Sequence, residues 1–319
     1  MHKPSGAARW ALACIGLIML LGGIVTAFFG PAEMYPFYLF SEGGRFSYDG
    51  FGFGSFMFGF IAAQVIGYYI LAAVLIPIGY GHLRLRQWAR TLLMAVVWCW
   101  LVVGAPLAIV LLFTLFSFKD LPPVAAWAAV VLVGLGYALA PWLVLRFYNL
   151  PTVRSAFDEA DGSAYWTDRL PMPILVLVLL MPLYAVILHI PIFFNGLFPV
   201  FGTWLTGLQG IFALDVSILC LLALTWGTAR RRVWAWWGDL VFFGLFTLSS
   251  IVTLTMSSYA EILSQMQFPV FEIDILQRMP LRGFHFAIFI GIPLLITLGI
   301  IISARSHFST GEGAAQTAA

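Results

Sequence analysis

The sequence predicts an all-α fold, a polytopic integral membrane helix bundle of about eight spans, and three observations carry that reading. Hydrophobic residues make up 62% of the 319 and charged residues 9%, and mean hydropathy is +0.98. Soluble domains carry about 25% charged residues, so this chain cannot furnish the polar shell that a globule of its size needs. The apolar residues also fall in runs of about 20, the length that crosses the hydrocarbon core as a helix. Those runs are apolar on every face, whereas the strands of a membrane barrel alternate. A soluble enzyme, a nucleic-acid-binding protein and a disordered scaffold are excluded.

The spans fall at 10–29, 53–79, 90–116, 123–145, 171–190, 206–226, 235–256 and 284–303. Lys3 and Arg9 precede the first, which ends at Gly30-Pro31-Ala32. It is longer than the usual signal-peptide core and reads as a retained span. Ala11-Leu12-Ala13-Cys14 departs from a lipoprotein cleavage site, because Ala11 stands where Leu is expected. Residues 30–52 form an outer loop, and Phe46 to Gly54 are rich in Phe and Gly, too apolar for a free linker. Residues 146–170 are one long inner connection with Asp158, Glu159, Asp161 and Asp168. That acidic run reads as a solvated loop in preference to a Mg²⁺ site.

In the outer segment 257–283, Ile262, Met266, Phe268, Val270 and Ile273 suit short amphipathic pieces lying on the membrane. Pro269 interrupts any helix there, which predicts two pieces, 258–267 and 271–279. An irregular loop packed on the bundle is the other reading. Residues 304–319 read as a disordered cytoplasmic tail.

Lys and Arg set the orientation. With the amino terminus inside, 12 of the 16 Lys and Arg fall in inner segments and 4 in outer ones. Both termini are therefore expected in the cytoplasm, with the chain integral to a plasma or inner membrane. The expected partners are the lipid bilayer and other membrane subunits, not nucleic acid. Gly81-His82-Leu83-Arg84-Leu85-Arg86-Gln87-Trp88 and Gly227-Thr228-Ala229-Arg230-Arg231-Arg232-Val233-Trp234 both read G-x-x-R-x-R-x-W. Each joins the second and third spans of a four-span group. This predicts a parallel repeat of two halves, 1–145 and 171–303, about an axis along the membrane normal. The competing reading is a generic turn with snorkelling Arg and an interfacial Trp.

Chemistry is sparse. Cys14, Cys99 and Cys220 lie in apolar runs without a CxxC pair, so neither a disulfide framework nor a thiol centre is expected. No phosphate-binding loop, HExxH or GxSxG is present, and no metal or cofactor is expected. Most of the 12 Trp fall near span ends, as an aromatic belt does. An acid inside a bilayer raises a functional hypothesis, and there are two. Asp215 lies near the middle of the sixth span, as a proton-linked or substrate-binding group or as an interhelical hydrogen bond. Asp239 lies in the seventh, with Ser250, Thr253 and Ser257 on its face, which suits a cavity lining or a tight helix interface. Asp215 is expected to face protein, with Ser250 the nearest polar group, and Asp239 to meet Arg230 to Arg232 or water. His189 and His285, at the outer ends of the fifth and eighth spans, form a candidate haem or pigment pair. The leading expectation is a non-enzymatic membrane component, an accessory subunit or a small-molecule permease. The alternative is an intramembrane enzyme acting on a lipid.

Overall fold

The structure, a computed structural model, describes residues 6–40, 52, 54–117, 122–279 and 281–308. Eight helical segments are long and apolar enough to cross a membrane, and the chain is an all-α polytopic bundle. The helices are α1 (Gly6–Phe40), α2 (Phe56–Leu83), α3 (Gln87–Ser117), α4 (Pro123–Gly134), α5 (Ala140–Tyr148), α6 (Pro151–Ala160), α7 (Met172–Ile187), α8 (Gly207–Ala229), α9 (Val233–Met256), α10 (Tyr259–Met266), α11 (Val270–Leu276) and α12 (Gly283–Ser303). Two short strands, β1 (Phe198–Val200) and β2 (Thr203–Leu205), precede α8. A π-turn at Leu135–Leu139 joins α4 to α5, so these two make one span.

All eight expected spans are present, and the first runs further than its sequence implies. The expected loop at 30 is instead helix as far as Phe40, through Pro31 and Pro36. Lipid offers the backbone no hydrogen bonds, so a helix that forfeits one bond at a proline still outcompetes an open chain there. Gly30 also lets the Tyr69 ring of α2 lie directly against the α1 backbone. The Phe- and Gly-rich stretch at 41–51 lies outside the described residues, as do the tail residues 309–319.

The chain divides into two compact units, residues 1–97 with 142–170 and residues 98–141 with 171–319. In the first, α1 and α2 pack along their length as an antiparallel pair. The connection 146–170 is not a free loop. It forms α6 and a turn, and its acids are tied to the helix ends. Arg86 pairs with Asp161 at 3.4 Å and Arg9 with Glu159 at 3.3 Å. Gln87 donates to Asp158 at 3.1 Å, and Thr91 to Asp168 at 2.6 Å.

In the second unit α7 packs on α8, and α12 on α9. Tyr184 and Thr297 share a hydrogen bond of 2.8 Å between α7 and α12. Leu197, Leu254, Ile262 and Ala287 form a buried cluster that seats α10 on the ends of α9 and α12. The two expected amphipathic pieces are α10 and α11. Ser258 and Glu261 cap the first reciprocally, Gln267 ends it with φ +56°, and Pro269 caps the second. Ala304–His307 continues α12 as a 3₁₀ turn and lays Arg305 over the Trp236 ring at 4.3 Å.

The two G-x-x-R-x-R-x-W turns have the same internal geometry. In one, Leu85 adopts φ +49°, and the Arg86 N–H returns to the Gly81 carbonyl at 2.8 Å. In the other, Arg231 adopts φ +53°, and the Arg232 N–H returns to the Gly227 carbonyl at 3.0 Å. Each glycine is required, because a Cβ on Gly81 would strike Ala89 and Trp88, and one on Gly227 would strike Ala235 and Trp234. Arg84 lies over Tyr80, and Arg230 over Trp226. One turn into the next helix, Arg90 donates to the Tyr148 carbonyl and Trp236 to the Ile301 carbonyl, both at 2.9 Å. Tyr148 and Ile301 each stand near the end of the following long span.

Candidate functional site

Asp239 is fully buried on α9 and accepts a hydrogen bond from the Thr228 hydroxyl at 2.6 Å. Thr228 is the penultimate residue of α8, where it is also fully buried. None of Arg230 to Arg232 pairs with Asp239 among the described residues, and Arg230 lies over Trp226. A neutral hydroxyl supplied by the neighbouring helix end replaces them, so the pair closes the α8–α9 turn without burying a second charge.

The polar face of α9 is real, and a hairpin occupies its C-terminal half. Phe201 and Gly202 link β1 to β2 as a two-residue turn with φ +41° and +96°, the left-handed geometry that matches strand twist. Phe201 N–H donates to Ser249 at 3.0 Å, and Gly202 N–H to Thr253 at 2.9 Å. The Trp204 indole donates to Ser257 at 2.8 Å, and Ser249 donates to the Pro199 carbonyl at 2.8 Å. Ser249, Thr253 and Ser257 stand four residues apart, one above the other on the helix. Ser249 and Thr253 satisfy backbone groups that two short strands leave open, and Ser257 accepts from an indole side chain. Two candidates, Thr253 and Ser257, thus have a structural partner, and Ser249 is the residue that the spacing from Asp239 overlooked. Ser250 is buried, and its hydroxyl has no partner among the described residues.

Asp215 departs most from expectation. It faces out from α8, and it has no hydrogen bond or ion pair among the described residues. Ser250 does not reach it. The buried face of α8 is drawn by Gly210, Leu214, Ser217, Ile218, Leu221 and Leu224, and Asp215 falls on the other. Around it Leu208 is 85% exposed, Phe212 70%, Leu219 66%, Leu222 49% and Trp226 54%. Positions 208, 212, 215, 219, 222 and 226 alternate steps of four and three, a heptad seam with one acid at its middle.

The two candidate histidines are each held locally. The Nδ1 of His189 bonds the Ala185 carbonyl at 2.8 Å. The Nδ1 of His285 accepts the Arg282 N–H at 2.9 Å as a helix cap, and its ring lies against Phe113. Among the described residues no three metal-ligating side chains converge. No known protein family, characterised protein or solved structure matches the chain.

Outside the spans, Asp161 gives a test of the connection's clasp. Burial would raise its carboxyl. The Ser163 backbone N–H at 3.2 Å, with polar side chains and Arg86 beside it, outweighs that and holds it below the ordinary carboxylate value. A depressed folded pKa stabilises the clasp above the unfolded value of about 3.9 and loses it only as pH falls through the lower folded one. Hydrogen exchange at 161–167 is therefore expected to stay slow down to about pH 3.9 and to rise below it. Asp161→Asn should exchange fast at every pH, and a wild-type midpoint above the ordinary carboxylate range would contradict the clasp.

Proposed function

We propose that this integral membrane protein is a non-enzymatic subunit of a membrane assembly, and that the outward seam of α8 is its assembly surface. The observation that carries this is Asp215, an acid in the middle of an apolar, exposed helix face. A carboxyl there costs about 2.5–3.5 kcal/mol on insertion scales unless something in the membrane meets it. A permease would need polar groups around a cavity, and most of those on α9 are committed: one Asp239 oxygen to Thr228, and Thr253 and Ser257 to the hairpin, with the other Asp239 oxygen, Thr247 and Ser250 left without a partner among the described residues. The occupant of the seam is a second copy. A two-fold axis along the membrane normal would lay α8 against its mate in parallel and in register, so that Asp215 meets its counterpart. The two carboxyl groups then face each other across the axis, and the contact is self-complementary. The seam from Leu208 to Trp226 covers about 27 Å by helical rise, most of the hydrocarbon thickness. The matched turns support a duplicated architecture of halves 1–145 and 171–303.

Gently solubilised from its own membrane, the chain is expected to migrate as an assembly larger than one 35.3 kDa chain. Migration as a free chain would overturn the subunit reading. The basic ends are read as cytoplasmic, with both termini there. Cysteine accessibility at residues 155 and 270 should then report opposite faces of the membrane, and a shared face would overturn that orientation.

A further inference from the structure

Within the first unit, the start of α3 and the 146–170 connection line a half-open polar cavity of about 280 Å³. Its walls include Arg90, Arg154, Asp158, Asp168, Thr91 and Phe157. Arg90 stands three residues into α3, so its backbone lies only about 5 Å from the basic end of that helix, at headgroup depth. Its Nε donates to the Tyr148 carbonyl at 2.9 Å. Its two terminal NH₂ groups make no hydrogen bond among the described residues, and no carboxylate there comes within ion-pair distance. Arg154 holds Asp158 only loosely, at 3.7 Å.

The two acids are engaged but not saturated. Asp158 accepts from Gln87, and Asp168 from Thr91 and the Tyr165 N–H. An ionised carboxylate has about four acceptor sites, so each retains capacity for a further donor. The cavity therefore presents two guanidiniums and two carboxylates. A simple anion would meet the acids, and a simple amine would meet the arginines. The complement is one molecule carrying both signs a few ångströms apart.

We propose that this cavity binds a phosphoethanolamine group, with its phosphate on Arg90 and Arg154 and its ammonium on Asp158 and Asp168. Guanidinium forks match phosphate oxygens, and these charge-assisted bonds are the strong ones. A phospholipid at the basic end would present the group at the depth of Arg90, with its acyl chains along the apolar flank of α3 beyond Met94. The same chemistry exists free in solution, and the source is decided by experiment.

The test uses the purified full chain in detergent, offered phosphatidylethanolamine, phosphatidylglycerol or soluble phosphoethanolamine. Retention is read by native mass spectrometry and binding by calorimetry. Phosphatidylethanolamine is expected to bind about tenfold more tightly than phosphatidylglycerol. Arg90→Gln and Arg154→Gln should each weaken it about tenfold, and Asp158→Asn should shift preference toward phosphatidylglycerol. Arg84→Gln, at the same membrane face but outside the cavity, should change nothing. Arg154 is exposed, so its variant decides the matter if Arg90→Gln does not fold. Equal binding of the two lipids, or no change with either arginine variant, would overturn the proposal. Soluble phosphoethanolamine binding as tightly as the lipid would keep the headgroup chemistry and overturn the lipid source.

Discussion

Asp215→Leu is expected to have effects of opposite sign on the single chain and on its assembly. In the monomer the variant removes an acid from a lipid-facing helix position, where its insertion cost is about 2.5–3.5 kcal/mol, so the isolated chain should gain stability. In the assembly it removes the polar contact at the centre of the α8 seam. Apolar side chains gain little by trading lipid for another apolar surface, so the remaining Leu and Phe cannot replace that contact. A polar contact between membrane helices is worth about 1–2 kcal/mol, and its loss should weaken association roughly tenfold. Asp215→Asn keeps a group that both donates and accepts, and association should survive.

The measurement is disulfide trapping of Leu219→Cys in a chain whose three native cysteines are replaced, with thermal unfolding of the same samples. Trapped dimer in the wild-type background, retained with Asn and lost with Leu while the melting temperature rises, is the expected pattern. A monomeric purified chain that still belongs to a larger native complex would overturn the second copy as occupant and leave the subunit reading intact. A chain that is free under both conditions would overturn both.

The direction of Asp215 could not have been read from the sequence. A buried face is legible when polar and apolar residues alternate with the helical period, and α8 is apolar on every side. Nothing in Ile211, Phe212, Ile218 or Leu219 says which of them meets lipid. Span number and position were legible for the same reason, because each run only has to be long and apolar. The break between α10 and α11 was legible because Pro269 lacks an N–H. The hairpin at 198–205 was missed, although Asn195, Gly196, Gly202 and Gly207 were all visible turn residues. Its strands have only three residues each, too few to show alternation. Their stability comes from hydroxyls about 50 positions away in the chain. The duplicate turn was legible as a motif, but its equivalent bonds from Arg90 and Trp236 link different donor types and have no common spelling.

Gly210→Ala is expected to be the most damaging small substitution in the second unit. Gly210 lies in the first turn of α8, and a Cβ there would sit 1.7 Å from the Gly196 carbonyl oxygen and 2.9 Å from the Leu205 carbonyl oxygen. Both obstacles are backbone, so no side chain can rotate away. Gly196 is itself fixed at φ +62°, and a Cβ on it would strike Ile211 and the Gly207 carbonyl. The two glycines face each other where the chain leaves the 3₁₀ turn at Ile190–Phe194 and enters the hairpin. Gly207 N–H donates to the Asn195 carbonyl at 2.7 Å, and Asn195 ties the same corner to Gln265 at 2.9 Å. Making room for one methyl group must therefore pull the corner off α8, with the hairpin and the seat of α10. Overpacking of this kind costs about 3 kcal/mol or more. Gly244→Ala is the control, because nothing lies within 4 Å of its Cβ position in the middle of α9. It should be neutral or stabilise by up to about 1 kcal/mol, from helix propensity alone. Thermal unfolding of the two variants, with hydrogen exchange at 198–205, separates the outcomes. If Gly210→Ala melts with Gly244→Ala, the close backbone contact between Gly196 and Gly210 is wrong.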